Sequence, residues 1–249
     1  MLSKILLINL DKSRDRLACC EQRLGDANLC YERISAVFGA DLNAAQIDQH
    51  YSKHLGRRSY YKELNVGEIG CYLSHRKAWQ KIVDEKLDFA VILEDDFYLS
   101  GDLARVMDLV GEIQHEWHYI KLAEHNRKRK TIHHIPLAEY SLVTYGKVPA
   151  RTCAQVVSLS GAKRLLASSA PFGRPIDIDL QHWWEKNIKL FGIEPCPVTP
   201  DESMASEIDK FARRNQAKKR VLKDVLDKLR FLVVNWFATR NRLKALNKL

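Results

Sequence analysis

The sequence predicts a three-layer α/β domain, a mixed sheet between two layers of helices. Three observations carry this. Two apolar segments, Ile5–Leu10 (interrupted only by Asn9) and Phe89–Leu93, read as strands buried on both faces. Segments with apolar residues at helical spacing alternate with such runs through the first half. The later half mixes this order, which points to antiparallel additions, and no internal repeat is visible.

Lys4–Leu10 is the first strand. The polar turn from Asp11 opens a helix to about Leu24, with Ser13 or Asp11 as its N-cap. Tyr31–Ala36 reads as a second strand and Asp41–Leu55 as a helix with Ile47 and Tyr51 on one face. Arg57–Leu64 reads as a loop. A helix follows from Asn65 to Glu85, striped by Ile69, Leu73, Trp79, Ile82 and Val83. After the strand at Phe89, Asp102–Gln114 reads as helix and Trp117–Leu122 as strand. Glu124–Ile135 reads as a basic loop holding Arg127, Lys128, Arg129, Lys130, His133 and His134, either solvated or facing an anionic acceptor. Strands at Tyr140–Tyr145 and Ala154–Leu159 precede a helix capped by Ser160-Gly161. Ile176–Asn187 reads as helix and Ile188–Phe191 as a short strand.

Composition narrows the function classes. The 249 residues are 46% hydrophobic and 29% charged, enough apolar matter for one large core. Six scattered cysteines form no C-x-x-C pair, which argues against a zinc ribbon and fits reduced thiols. The apolar N-terminal run meets Asp11, Lys12 and Arg14 too soon for an export signal. Thirteen Lys/Arg face only Asp224 and Asp227 between residues 210 and 249, a balance of +11. Residues 1–209 therefore carry −2 of the chain's +9, which argues against a nucleic-acid-binding body. The division expected is a catalytic domain at 1–209 and a basic tail at 210–249.

The strand at Phe89 breaks abruptly into Glu94-Asp95-Asp96. Three adjacent carboxylates repel one another, so they mark either a solvated turn or a crevice that holds a cation. At the carboxyl edge of a sheet, where open α/β proteins bind ligands, they suit a hard divalent ion that also grips phosphate.

Four segments, in this order and spacing, resemble glycosyltransferase family 25. They are Ile8–Arg16, Gly67–His75 with Trp79, Leu93–Asp96 and Pro175–Leu180. The resemblance covers roughly residues 1–198. It implies a GT-A fold, with a Rossmann-like mixed sheet flanked by helices, a UDP-linked sugar donor and Mn²⁺ or Mg²⁺. Many bacterial members build lipooligosaccharide or lipopolysaccharide, often as galactosyltransferases, and animal relatives glycosylate collagen.

The carried-over roles follow the matched motifs. Donor binding falls to Asn9, Leu10, Arg14, Gly67, Glu68, Gly70, Ser74, His75, Glu94 and Asp95. Arg16 is a weaker phosphate candidate than Arg14. Metal binding falls to Asp96 first, then Asp95, with His182 as a late ligand. Asp177 matches the family position for a base or a hydroxyl-binding group in an inverting transfer. Asp179 is the second acid of that pair, or a helix cap. Trp183 and Trp184 offer a stacking surface or fill the core.

The tail is independent. Leu222, Val225, Leu229, Leu232 and Trp236 form one stripe, widened by Leu226, Val233 and Phe237 and surrounded by Lys218, Lys219, Arg220, Lys223, Lys228 and Arg230. Such a helix fits an anionic membrane surface, or docks on the catalytic domain or a partner. The expectation is a cytoplasmic enzyme, peripheral at the inner face of the inner membrane, acting on a glycan or glycolipid. The competing reading is a non-catalytic interaction protein that works through the tail. A phosphotransferase lacks support, because neither G-x-x-x-x-G-K nor D-x-D-x-T is present.

Overall fold

A computed structural model describes residues 1–124, 129–203 and 221–246. In chain order the first elements are β1 (Ser3–Asn9), α1 (Arg14–Asp26), β2 (Glu32–Ser35), a 3₁₀ turn (Gly39–Asp41), α2 (Ala44–His50), α3 (Lys53–Ser59) and α4 (Val66–Asp84). Next come β3 (Phe89–Glu94), β4 (Phe97–Leu99), α5 (Leu103–Glu112), β5 (Tyr119–Lys121), β6 (Thr131–Leu137), β7 (Tyr140–Tyr145) and β8 (Ala154–Ser158). Then follow α6 (Leu159–Ala167), α7 (Ile176–Gln181), β9 (Leu190–Glu194), β10 (Val198–Pro200) and α8 (Val221–Leu246).

Eight strands form one sheet in the order β2-β1-β3-β8-β5-β9-β7-β6. The first three run parallel, with Leu6 opposite Glu32 and Ile92. β8 is reversed between β3 and β5, and β7 is reversed against β9. A parallel half followed by a mixed half is the GT-A-type architecture that the resemblance implies.

Strand alternation divides the core into two layers. Leu6, Ile8, Ala90 and Ile92 face α4 and α6, against Tyr72, Trp79, Ile82 and Leu165. Ile5, Leu7, Val91 and Leu93 face α1 and α5, against Cys20, Leu24, Val106 and Leu109. This is why β1 and β3 are apolar without alternation. The parallel half ends together: Ile8 lies opposite Glu94, so Asn9 and the three acids emerge at one edge.

Several boundaries differ from expectation, each for a local reason. The helix at Asp41–Leu55 is three pieces. Its chain breaks at Tyr51, which bridges to Phe172, and restarts where Ser52 accepts a hydrogen bond from the Leu55 amide. α3 therefore runs into the expected loop. Helix α6 begins two residues early, capped by Ser158, whose Oγ accepts from Gly161 N at 3.0 Å. Ser13 sits at the N-cap of α1 but makes no side-chain cap bond. α7 stops at Gln181 rather than Asn187, and β9 lies later than Ile188–Phe191. Thr131–Leu137 is strand β6, hydrogen-bonded to β7, so His133 and His134 sit on an edge strand rather than in a loop. Pro136 is tolerated because β6 is an edge. Arg127 and Lys128 of that basic segment lie outside the described residues, as does the boundary expected at residue 209.

Candidate functional site

Helix α4 starts where Asn65 and Glu68 form a capping box. Asn65 Oδ1 accepts from Glu68 N at 2.8 Å, and Glu68 Oε2 accepts from Asn65 N at 2.8 Å. The other Glu68 oxygen pairs with Lys62 at 2.9 Å. Glu68 is thus committed to the helix start, not to a donor. Gly70 is a packing residue as well. A Cβ there would come within 2.5 Å of the Val37 carbonyl oxygen, and one at Gly39 within 1.7 Å of the Val66 oxygen. The two glycines let the chain after β2 lie directly on α4, which forms one wall of a cleft.

That cleft, with a cavity volume of about 150 Å³ and open to solvent, lies at the carboxyl edge of β1 and β3. Asn9, Leu10, Gly67, Ser74, His75, Glu94, Asp95 and Asp96 line it together. Ser74 uses both of its capacities within the wall, donating to Gly70 O at 2.7 Å and accepting from Val37 N at 2.8 Å. Arg14 is exposed on α1 and does not line the cleft, whereas Arg16, one helical step further, does.

The three acids have unlike surroundings. Glu94 Oε1 lies 2.8 Å from His75 Nε2 and also accepts from the Thr152 hydroxyl. His75 is itself held: Gln155 Nε2 approaches Nδ1 at 3.3 Å, and Tyr119 donates to Gln155 Oε1 at 3.1 Å. With the Gln155 amide donating to Nδ1, the ring proton sits on Nε2 and is given to Glu94. Burial alone would raise the Glu94 carboxyl, but His75 and Thr152 outweigh it and hold it below the usual glutamate range.

Asp95 accepts from Asn9 Nδ2 at 2.7 Å and forms an ion pair with Arg16. Asn9 is in turn fixed by Arg33, whose Nε donates to its Oδ1 at 3.1 Å. Burial raises the Asp95 carboxyl in spite of Arg16.

Asp96 differs from both. Its backbone oxygen is pinned by Asp201 N at 2.6 Å, but side-chain Oδ1 is buried with no hydrogen-bond partner. Burial and then the nearby Glu94 charge push it up to about 7. A buried carboxylate oxygen without a partner is costly, and a cation satisfies it. Asp96 therefore fits a divalent ion, whereas both oxygens of Asp95 beside it already have partners in Asn9 and Arg16. Cys71, His75 and Glu94 also bring ligand atoms within 4.8 Å of one another. They fit an ion poorly. Glu94 Oε1 already bonds two donors, and burial keeps the Cys71 thiol protonated, well above its ordinary range.

The two acids of α7 are divided by their partners. Asp179 is buried and surrounded by donors: Tyr72 OH at 2.5 Å, Arg174 Nε at 2.9 Å and Lys186 Nζ at 2.5 Å. Burial alone would raise its carboxyl, but Lys186 and Arg174 hold it below the usual range. It clamps the fold, and it is neither a free base nor a cap. Asp177 is half-buried. It accepts from Ile178 N at 2.8 Å and Arg151 N at 3.3 Å. Arg151 adopts a left-handed φ of 67°, a conformation non-glycine residues seldom hold. Thr152, next along, bonds Glu94, and Cys153 Sγ contacts the Asp96 oxygen at 3.6 Å. The short segment 151–153 therefore joins Asp177 to both Glu94 and Asp96. Lys121, buried at the end of β5, donates to the Arg151 carbonyl. Burial lowers its ammonium to about 8 despite the Asp177 and Glu94 charges nearby.

His182 lies elsewhere. Its Nδ1 is 2.9 Å from Ile178 O, and its ring packs 5.3 Å from Trp184 and 4.9 Å from Phe231 of α8. It lines a separate groove, so the structure does not bring it to Asp96. Trp183 packs against the core, while Trp184 faces that groove. Sequence reasoning missed Arg33, Lys121, Thr152 and Gln155. The one available signal was their position at or beside strand ends that reach the same edge.

Residues 2–180 match the sequence pattern described as Glycosyltransferase family 25 (LPS biosynthesis protein). Procollagen galactosyltransferase 2 of Homo sapiens is 26% identical over 226 residues, spanning 79% of this chain and 35% of that protein. Procollagen galactosyltransferase 1 of Danio rerio is 28% identical, over 79% of this chain and 36% of its own length. The chain thus spans about a third of the length of these curated relatives. Two mammalian relatives, of Bos taurus and Rattus norvegicus, are named probable inactive family 25 members. A solved glycosyltransferase involved in glycosylating the major capsid of PBCV-1 superposes with a TM-score of 0.47 and 9% identity, covering 86% of this chain and all of that one. With its family pattern matched over 2–180 and three of the four quoted motifs lining one cleft, this chain belongs to glycosyltransferase family 25.

Proposed function

We propose that this chain is a metal-dependent glycosyltransferase that moves a hexose, galactose in our reading, from a UDP-sugar to a hydroxyl of a lipooligosaccharide, lipopolysaccharide or related glycan. The single observation that carries the reading is Asp96. One of its oxygens is buried without a partner, and the residue lines a cleft shared with the family's donor motifs. The names of the procollagen galactosyltransferase relatives support galactose, and the family description supports a lipopolysaccharide acceptor. Family membership alone does not carry activity, since some relatives are named probable inactive. The intact acids of this chain do.

In this reading Asp96, with Asp95 once its pair with Arg16 opens, would hold Mn²⁺ or Mg²⁺, which would offset negative charge on a diphosphate. Asn9 and Arg33 keep Asp95 in place, and Arg16 lies within reach of phosphate. Leu10 and Gly67 present cleft-lining backbone to the nucleoside. The Glu94–His75–Gln155–Tyr119 chain keeps Glu94 ionised and still, close to sugar or ribose hydroxyls. Asp177 takes the proton from the acceptor hydroxyl as that oxygen bonds to the anomeric carbon. The bond from that carbon to the diphosphate breaks, and UDP leaves with the electron pair, giving inversion.

A panel of UDP-sugars, with truncated lipooligosaccharide as acceptor and UDP release as readout, tests the reading. UDP-galactose with Mn²⁺ is expected to give acceptor-dependent UDP release. An unchanged melting temperature with every nucleotide and metal combination would sink donor binding. It would leave the competing reading, an interaction protein on the same fold.

A further inference from the structure

Helix α8 has two dissimilar long faces. One is docked on the body. Asn235 Nδ2 donates to Gly146 O at 2.6 Å, Phe231 packs on His182 and Trp184, and the Arg242 guanidinium lies 4.2 Å above the Phe191 ring. Asn235 and Thr239 are buried there. The polar and aromatic side of the helix, not its apolar stripe, thus faces the protein. The stripe points outward: Leu226, Leu229, Leu232, Val233, Trp236 and Phe237 are each more than half exposed. Single exposed apolar residues are ordinary, but six on one helix face form a patch that asks for an occupant.

We propose that α8 lays this outward face on an anionic phospholipid surface. Charge selects the occupant. Lys228, Arg230, Arg240 and Lys244 are exposed along the same helix. Among its described side chains the sole acid is Asp227, which lines the groove beneath the helix with Arg174 and His182. A second copy fits badly, because Arg240 and Lys244, exposed on the outward side, would meet identical cations across the seam. A bilayer accepts the apolar stripe at its acyl boundary and the cations at its phosphates. Trp236, with Arg240 stacked 5.2 Å from its ring centroid, suits the interface between the two. No described helix is long and apolar enough to cross a membrane, so the contact is along the surface.

The full chain, sedimented with vesicles of phosphatidylcholine alone or mixed with phosphatidylglycerol, tests this without reference to catalysis. Each cation near the anionic surface contributes about a five-fold gain in partitioning. Binding to the mixed vesicles at low salt should therefore exceed binding to neutral ones by at least about ten-fold, and should fall as salt rises. The variant Leu229→Ser/Leu232→Ser/Trp236→Ser should lose binding to both. The variant Lys228→Gln/Arg240→Gln/Lys244→Gln should lose only the salt-sensitive part, and it keeps the test open if the first fails to fold. A chain that stays in the supernatant with anionic vesicles at low salt overturns the proposal. So does equal binding to neutral vesicles. A dimer in sedimentation velocity that the triple-Ser variant abolishes would assign the face to a second copy instead.

Discussion

Asp96 and Asp179 are the same residue type in one domain, and both are largely removed from water. Asp179 has Tyr72, Arg174 and Lys186 around it, so its charge is neutralised on every side. Asp96 has an oxygen with no donor and Glu94 for a neighbour. The fold completes one carboxylate and leaves the other incomplete. What separates a structural acid from a reactive one here is the set of partners the fold withholds, rather than burial or residue identity.

The largest expected effect comes from breaking the completed site. Asp179→Ala strands two buried cations and should cost about 3–5 kcal/mol in urea unfolding. Activity per folded molecule should be retained. If the variant lost transfer without losing stability, Asp179 would belong to the chemistry and the contrast would fail.

Asp96→Ala should do the reverse. Loss of a metal ligand should lower transfer about a hundred-fold or more and abolish the melting shift given by UDP with Mn²⁺. Ligand-free stability should hold or rise, because a repelled, unpartnered carboxylate is gone. Lower ligand-free stability in this variant would show that Asp96 is satisfied after all.

Titration of the ion-free protein sharpens the contrast, since the two groups act with opposite sign. The Asp96 carboxyl is raised to about 7, above an unfolded value of about 3.9. Its contribution is complete below pH 4 and is lost as pH climbs through 7. The Asp179 carboxyl is lowered, so its contribution is present above pH 4 and is lost as pH falls below that. Each slope is at most one proton, about 1.4 kcal/mol per pH unit. Asp96→Asn should flatten the first window alone and Asp179→Asn the second, measured by urea midpoints across pH.

The smallest effect is expected at Thr152→Val, which removes one donor from Glu94. About ten-fold lower kcat with a nearly unchanged melting temperature is the expected outcome. An unaltered kcat would show that His75 alone suffices to hold Glu94.

The parallel half of the sheet was legible in the sequence because burial on both faces leaves an unbroken apolar run. The acids at the end of β3 stood out for the same reason. Strand β6 was not legible. As an edge strand it alternates Ile132, Ile135 and Leu137 with basic and polar residues, which also describes a loop. Asp177 and Asp179 looked alike because the partners of Asp179 are spread from Tyr72 to Lys186. Arg14 read as a better phosphate candidate than Arg16, but the start of α1 leaves Arg14 exposed and turns Arg16 to the cleft. Gly70 belonged to a motif matched for donor binding, yet it lets the chain at Val37 and Gly39 lie directly on α4. Sequence spacing locates chemistry along a chain. It does not say which oxygen the rest of the chain has already claimed.

The reversal of β8 has a further consequence for how such a domain diversifies. A parallel strand would bring its preceding loop to the far edge of the sheet. Because β8 runs against β3 and β5, the chain ahead of it arrives at the cleft. Changes in the chain ahead of β8 would therefore act on Asp177, Glu94 and Asp96 through residues 151–153, while strands β1, β2 and β3 kept their register. The parallel strands that carry the acids and the segment that holds those acids from the other side thus vary on separate stretches of chain.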